Sequence, residues 1–178
     1  MSFKSDEAKG KAGTKKFIAP VLCKIFGGTV TQTERRANSF ERSLDWSGID
    51  GIVATDKGLL PFAARIQSGV NYESFSIRYS RPSGEPTEYE KINKALKTNS
   101  MRPFYHAQGY VDEDGQAIVA VVRTKDLFNF VKKNINKVII KANEDGTKLL
   151  AAFWRDLEQF GVMLKKFLVS SEGDIQQI

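Results

Sequence analysis

Apolar residues recur at helical spacing at Phe17, Ile18, Val21, Leu22, Ile25 and Phe26, which predicts an amphipathic first helix over 14–26. Thr14 is its candidate N-cap, and Gly27-Gly28 stops it. Pro20 falls inside, so either a kink is tolerated or the helix starts one turn later with Pro20 in its first turn. Residues 29–44 mix Thr, Arg and Glu and read as loop or short strand, then a polar turn of helix. Ile49 to Ala54 and Leu59 to Gln67 are two strands joined by the turn Asp56-Lys-Gly58. A third strand follows at 74–79, where Phe75, Ile77 and Tyr79 alternate with Arg78.

Further on, Thr87 with Glu90 three residues later forms a capping box for a helix to about Lys97, and places Glu88 and Lys91 on one face. Residues 103–111 and 116–122 flank Asp112-Glu-Asp-Gly115 as a hairpin. In its second strand Ala117, Val119 and Val121 alternate with Ile118, Ala120 and Val122, so both faces are apolar and the strand is expected to be central. Thr124 is expected to cap a helix that turns Leu127, Phe128, Phe130 and Val131 inward. A last hairpin at 138–141 and 149–153 precedes an amphipathic helix near 157–168. This interleaving argues for an α/β fold with a mixed central β-sheet flanked by helices, rather than a bundle or sandwich.

Composition narrows the picture. The 178 residues, 41% hydrophobic, suit one domain with a genuine core. We divide the chain into a flexible basic arm (1–13), a single domain (14–170) and a polar tail (171–178). With 27 basic against 21 acidic residues, a net charge of +6 and a pI near 9.4, polyanionic partners are favoured, nucleic acid first. A single cysteine, Cys23, reads as a small buried hydrophobe, and with one histidine, His106, there is no ligand set for structural zinc. The lack of a membrane-length apolar run or signal-like N-terminus makes a cytoplasmic location the expectation. Neither a phosphate-binding loop nor a dinucleotide fingerprint occurs, which disfavours nucleotide hydrolysis and redox chemistry.

The helix 14–26, the segment Gly48-Ile-Asp-Gly-Ile-Val53, a glycine turn and the strand Phe62-Ala-Ala-Arg-Ile-Gln67 together resemble the core of the PD-(D/E)XK nuclease superfamily over roughly residues 14–135. The resemblance implies a restriction-endonuclease-like core and a Mg2+ or Mn2+ site whose first acid is Asp50. There, bound cation would activate water and stabilise charge on a scissile phosphate of DNA. Without that resemblance Asp50 is a polar residue at a strand edge.

The next strand departs from the family pattern, because Arg65 and Gln67 stand where a carboxylate or glutamine and then a lysine are expected. Arginine repels a cation and a neutral glutamine offers only an amide oxygen. The missing groups are sought at Glu88 and Lys91, or at Glu41 as second metal-binding acid; otherwise the scaffold only binds. Catalytic candidates are therefore Asp50, Gln67, Glu88 and Lys91, and metal candidates Asp50 and Glu41.

Arg65, Arg78 and Arg81, extended by Lys15, Lys16 and the arm lysines, are candidates for phosphate contacts. Arg65 and Arg78 are expected on adjacent strands lining one face. His106, among the aromatics of Phe104-Tyr-His-Ala-Gln108, is assigned a structural role. Three readings remain: a magnesium-dependent nuclease acting on DNA; a catalytically inactive nuclease-fold protein, such as a phage or mobile-element accessory, that binds nucleic acid or a protein; and an ordinary basic α/β domain. A homodimer would suit an enzyme that cuts two strands.

Overall fold

A computed structural model describes residues 3–33 and 39–178, without the side chains of residues 3–7, 40–42 and 45. Its helical start is continuous: α1 (Phe3–Gly13), a π-helical turn (Thr14–Ile18) and α2 (Ala19–Phe26). Pro20 explains the irregularity, since it cannot donate to the carbonyl four residues back and its ring crowds that turn. The helix widens immediately before it, with the Ala19 N–H reaching the Thr14 carbonyl. Two expectations change here. Residues 3–13 are helix where an arm was expected, and Thr14 is no N-cap, because Gly13 ahead of it is already helical.

Then come β1 (Thr29–Gln32), α3 (Ser39–Trp46), β2 (Gly51–Thr55), β3 (Gly58–Ser68), β4 (Ser74–Ser80) and α4 (Glu88–Thr98). The chain continues as β5 (Tyr105–Val111), β6 (Ala117–Arg123), α5 (Thr124–Lys133), β7 (Ile139–Ala142), β8 (Lys148–Phe153), α6 (Trp154–Gln159), β9 (Lys165–Val169) and β10 (Ile175–Gln177). The main sheet runs β1-β2-β3-β5-β6-β9-β10, with β3 and β5 parallel and every other pair antiparallel. The fold is thus mixed α/β, with helices and a second sheet, β4-β8-β7, against the main sheet.

The residues of β6 sort the two cores. Ala117, Val119 and Val121 join Phe17, Ile18, Val21 and Leu22 of the N-terminal helix on one face. Ala120 and Val122 join Phe75 and Ile77 of β4, Ile92 of α4, and Leu127 and Phe128 of α5 on the other. A strand buried on both sides must be internal, and β6 sits between β5 and β9. Gly28 shows how tightly β1 is started: at φ +84° it lies so close to β2 that a Cβ would come within 1.9 Å of the Ala54 carbonyl oxygen.

The main corrections concern β4 and the C-terminus. β4 follows β3 in sequence but pairs with β8 in the second sheet, leaving the place beside β3 to β5. Phe75 and Ile77 are almost fully buried there, so β4 gains more by covering the main sheet than by extending it. Arg65 and Arg78 are consequently not on adjacent strands. The helix expected near 157–168 ends at Gln159, with Gly161 at φ +73° breaking it, and Lys165–Val169 becomes a strand on β6 with Phe167 and Val169 buried. The polar tail contributes β10 to the sheet edge. Among the described residues, no helix is long and apolar enough to cross a membrane.

Candidate functional site

The capping box of α4 is formed as its sequence requires. The Glu90 N–H donates to Thr87 Oγ1 at 3.4 Å, and the Thr87 N–H donates to Glu90 Oε2 at 2.8 Å. Thr87 Oγ1 also lies 3.2 Å from the Tyr79 carbonyl, which ties the start of α4 to the end of β4. That anchorage sends Glu88, the first residue of α4, onto the face of the main sheet between β3 and β5.

There Glu88 is held from three sides. Oε1 accepts from His106 Nε2 at 3.1 Å. Oε2 accepts from Arg65 Nη2 at 3.3 Å and from the Arg78 N–H at 3.2 Å. Burial is the largest single influence on this carboxyl and opposes ionisation. The His106 hydrogen bond, the charges of Arg65 and His106 and the Arg78 N–H outweigh it together, and hold the group at about 2. An ionised carboxylate only accepts hydrogen bonds, so His106 Nε2 carries a hydrogen. Nδ1 lies 2.9 Å from the Thr124 hydroxyl, from which it accepts in the neutral imidazole and to which it donates in the imidazolium.

Thr124 accordingly does not cap α5; its hydroxyl is committed to His106, and α5 begins without a side-chain cap. His106, 5% exposed, packs its ring against Phe128 with centroids 5.5 Å apart. It heads a buried polar row on β5. Gln108 Oε1 accepts from Ser76 Oγ at 3.1 Å, and the Tyr110 hydroxyl donates to the Ser74 carbonyl at 2.8 Å. Burial pushes the Tyr110 hydroxyl up from its ordinary value. Reading His106 as a lone aromatic-strand residue missed this row. Its signal is present at 106, 108 and 110, where polar-capable side chains alternate with the small or apolar Ala107, Gly109 and Val111.

The expected first acid lies on the far side of β3. Asp50 immediately precedes β2; its N–H donates to the Phe62 carbonyl at 2.9 Å and its carbonyl accepts from the Thr33 N–H at 3.0 Å. Its Oδ2 accepts from the Ala64 N–H at 2.9 Å, so the carboxylate serves as a ladder acceptor where β2 begins. β2 and β5 flank β3 on opposite sides, which separates their backbones by about 10 Å. Glu88 bonds toward the β5 side.

Other candidates are distributed. Gln67 is half-buried and opposite Tyr110. Lys91 Nζ lies 5.8 Å from the centroid of the Trp46 ring at the end of α3. Arg81 pairs with Glu85 at 2.9 Å. The charge of Arg78 helps lower the Asp145 carboxyl, after the larger effect of hydrogen bonds from Thr147. Lys15 and Lys16 are exposed on the helix that covers the opposite face of the sheet. The expected basic footprint is therefore divided between two faces, and Arg65 faces a carboxylate.

The donors fit a divalent cation poorly. Both Glu88 oxygens are occupied by hydrogen-bond donors, one of them a guanidinium. Among the described residues, no three His, Cys, Asp or Glu side chains are grouped to hold a metal ion. The side chain of Glu41 lies outside the described residues. Comparison with protein-family models, with curated proteins and with solved structures gave no match.

Proposed function

We propose that the protein binds nucleic acid through a nuclease-like α/β scaffold in which the position of the cleavage centre is closed. The observation that carries this reading is the Arg65–Glu88–His106 network. Arg65 stands on β3 where a restriction-endonuclease-like core places a metal-binding group, and the acid that reaches it from α4 is neutralised by it. A part-buried ion pair of this kind needs both partners, since losing either leaves a partly desolvated charge without compensation. The net charge of +6 supports a polyanionic partner. DNA-shift assays at low salt, calorimetry with Mg2+ and Mn2+, and incubation with linear, nicked and branched DNA test the proposal together. Salt-sensitive binding without stoichiometric metal or cleavage is expected; a stoichiometric metal lost in Asp50→Ala refutes it.

A second reading, metal-dependent phosphodiester hydrolysis centred on Asp50, has one specific observation in its favour. α4 reaches from β3, through Glu88, to the end of α3 just before Asp50, through Lys91 and Trp46. Both groups thought to replace the missing acid and lysine therefore lie around the hairpin that carries Asp50. Cleavage that disappears in Asp50→Ala and in Glu88→Gln, with both variants folded, establishes this reading over the first.

A further inference from the structure

At the end of the main sheet, where β5 begins and β6 passes into α5 beside the Thr124 end of the Glu88 network, the surface opens into a cleft of about 210 Å³. Arg102, Phe104, Tyr105, Arg123, Thr124 and Lys125 are among the residues that line it. Its walls are tied by backbone bonds: the Thr124 N–H donates to the Phe104 carbonyl at 2.9 Å, and the Phe104 N–H to the Pro61 carbonyl at 2.7 Å. The ring of Tyr105 is engaged by Phe26, with centroids 4.4 Å apart. Phe104, by contrast, is 47% exposed.

We propose that this cleft holds an unpaired nucleotide of a single-stranded nucleic acid, with the Phe104 ring stacking on the base and Arg102, Arg123 and Lys125 contacting the adjoining phosphates. The inference rests on the nucleic-acid-binding reading and adds the strand state and the place of contact.

An exposed aromatic ring between cations is what single strands need, because every base offers a π-face and the backbone supplies phosphates on either side. Within a duplex both faces of a base are already stacked. None of the three cations takes part in a salt bridge among the described residues, unlike Arg65 and Arg81. Arg102 is oriented by the Ser100 carbonyl at 2.9 Å. Asp126, in the first turn of α5, does not line the cleft. The volume also bears on the ligand, since whole small molecules generally occupy roughly 300–1,000 Å³; this cleft suits one segment of a longer chain.

Fluorescence anisotropy with the full-length protein tests this, using a short labelled DNA single strand, the matching duplex, a mononucleotide and orthophosphate. The single strand is expected to bind most tightly. Phe104→Ala is expected to weaken it by about tenfold or more, with Phe104→Leu retaining the apolar bulk but not the π-face and weakening it likewise. The pair Arg123→Gln and Lys125→Gln is expected to flatten the dependence of log affinity on log salt by about 1.4, which is two phosphate contacts on a single strand. Single-strand binding that survives both Phe104 substitutions overturns the inference while leaving nucleic-acid binding intact. Duplex binding as tight as single-strand binding overturns it too, as does orthophosphate competing as well as the mononucleotide. No binding of either DNA at low salt overturns the broader reading.

Discussion

Glu88 on α4 and His106 on β5, separated by 18 positions in the chain, meet at 3.1 Å through Oε1 and Nε2. The contact joins a helix start to the sheet face, and it runs on through Nδ1 to the Thr124 hydroxyl at the start of α5. Three elements are thereby locked by one imidazole. With Arg65 on the same carboxylate, the network is better suited to holding geometry than to accepting a cation.

Acid should weaken the fold through Glu88. Its carboxyl is held at about 2 in the folded protein against 4.5 as the ordinary value. A depressed folded pKa gives stability that is complete above the unfolded value and is lost as pH falls through the folded one. The linkage is worth about 3 kcal/mol, lost between roughly pH 4.5 and 2. Denaturant unfolding at successive pH values should show this limb in the wild type and a much flatter one in Glu88→Gln. Equal slopes in the two proteins would contradict the assignment.

The Thr124 hydroxyl is expected to be worth about 1–2 kcal/mol through His106. Thr124→Val preserves shape but leaves Nδ1 without its hydrogen-bond partner in a site where Thr124 is only 1% exposed. Thr124→Ser should restore most of the loss. Nitrogen chemical shifts of the imidazole should report a hydrogen on Nε2 in the wild type, as an ionised Glu88 requires.

Asp50→Ala should cost more stability than Asp50→Asn, by about 1 kcal/mol, because an amide oxygen can still accept from the Ala64 N–H. Thermal melts of the two variants measure the difference. Indistinguishable melts would mean that the carboxylate does not serve the hairpin.

Gly28→Ala is expected to destabilise by about 3 kcal/mol or more. The added methyl meets the Ala54 carbonyl rather than a side chain that can move aside, and the residue stands at φ +84°. Gly58→Ala makes the comparison: φ is also positive there, but a Cβ meets nothing within 4 Å. A smaller loss at Gly58 than at Gly28, read from denaturant unfolding, separates the collision from the backbone strain.

Local chemistry settled a large part of this protein in advance. The capping box at Thr87 and Glu90, the hairpins at Asp56–Gly58 and Asp112–Gly115 and the two-sided burial of β6 all appear where the residues call for them. Each depends on neighbours a few positions apart or on a strand's own alternation, so the pattern carries the information. The partners did not follow from pattern. Whether β4 lay beside β3 or over the main sheet, whether residues 165–169 continued a helix or completed the sheet, and where Glu88 turned its carboxylate depended on surfaces distant in the chain. A strand edge left open by β6 and two apolar faces needing cover decided the first two. Glu88 shares its helix face with Lys91 in any sequence reading; only the packed sheet, by presenting Arg65 and His106 together, drew the carboxylate inward and committed it there.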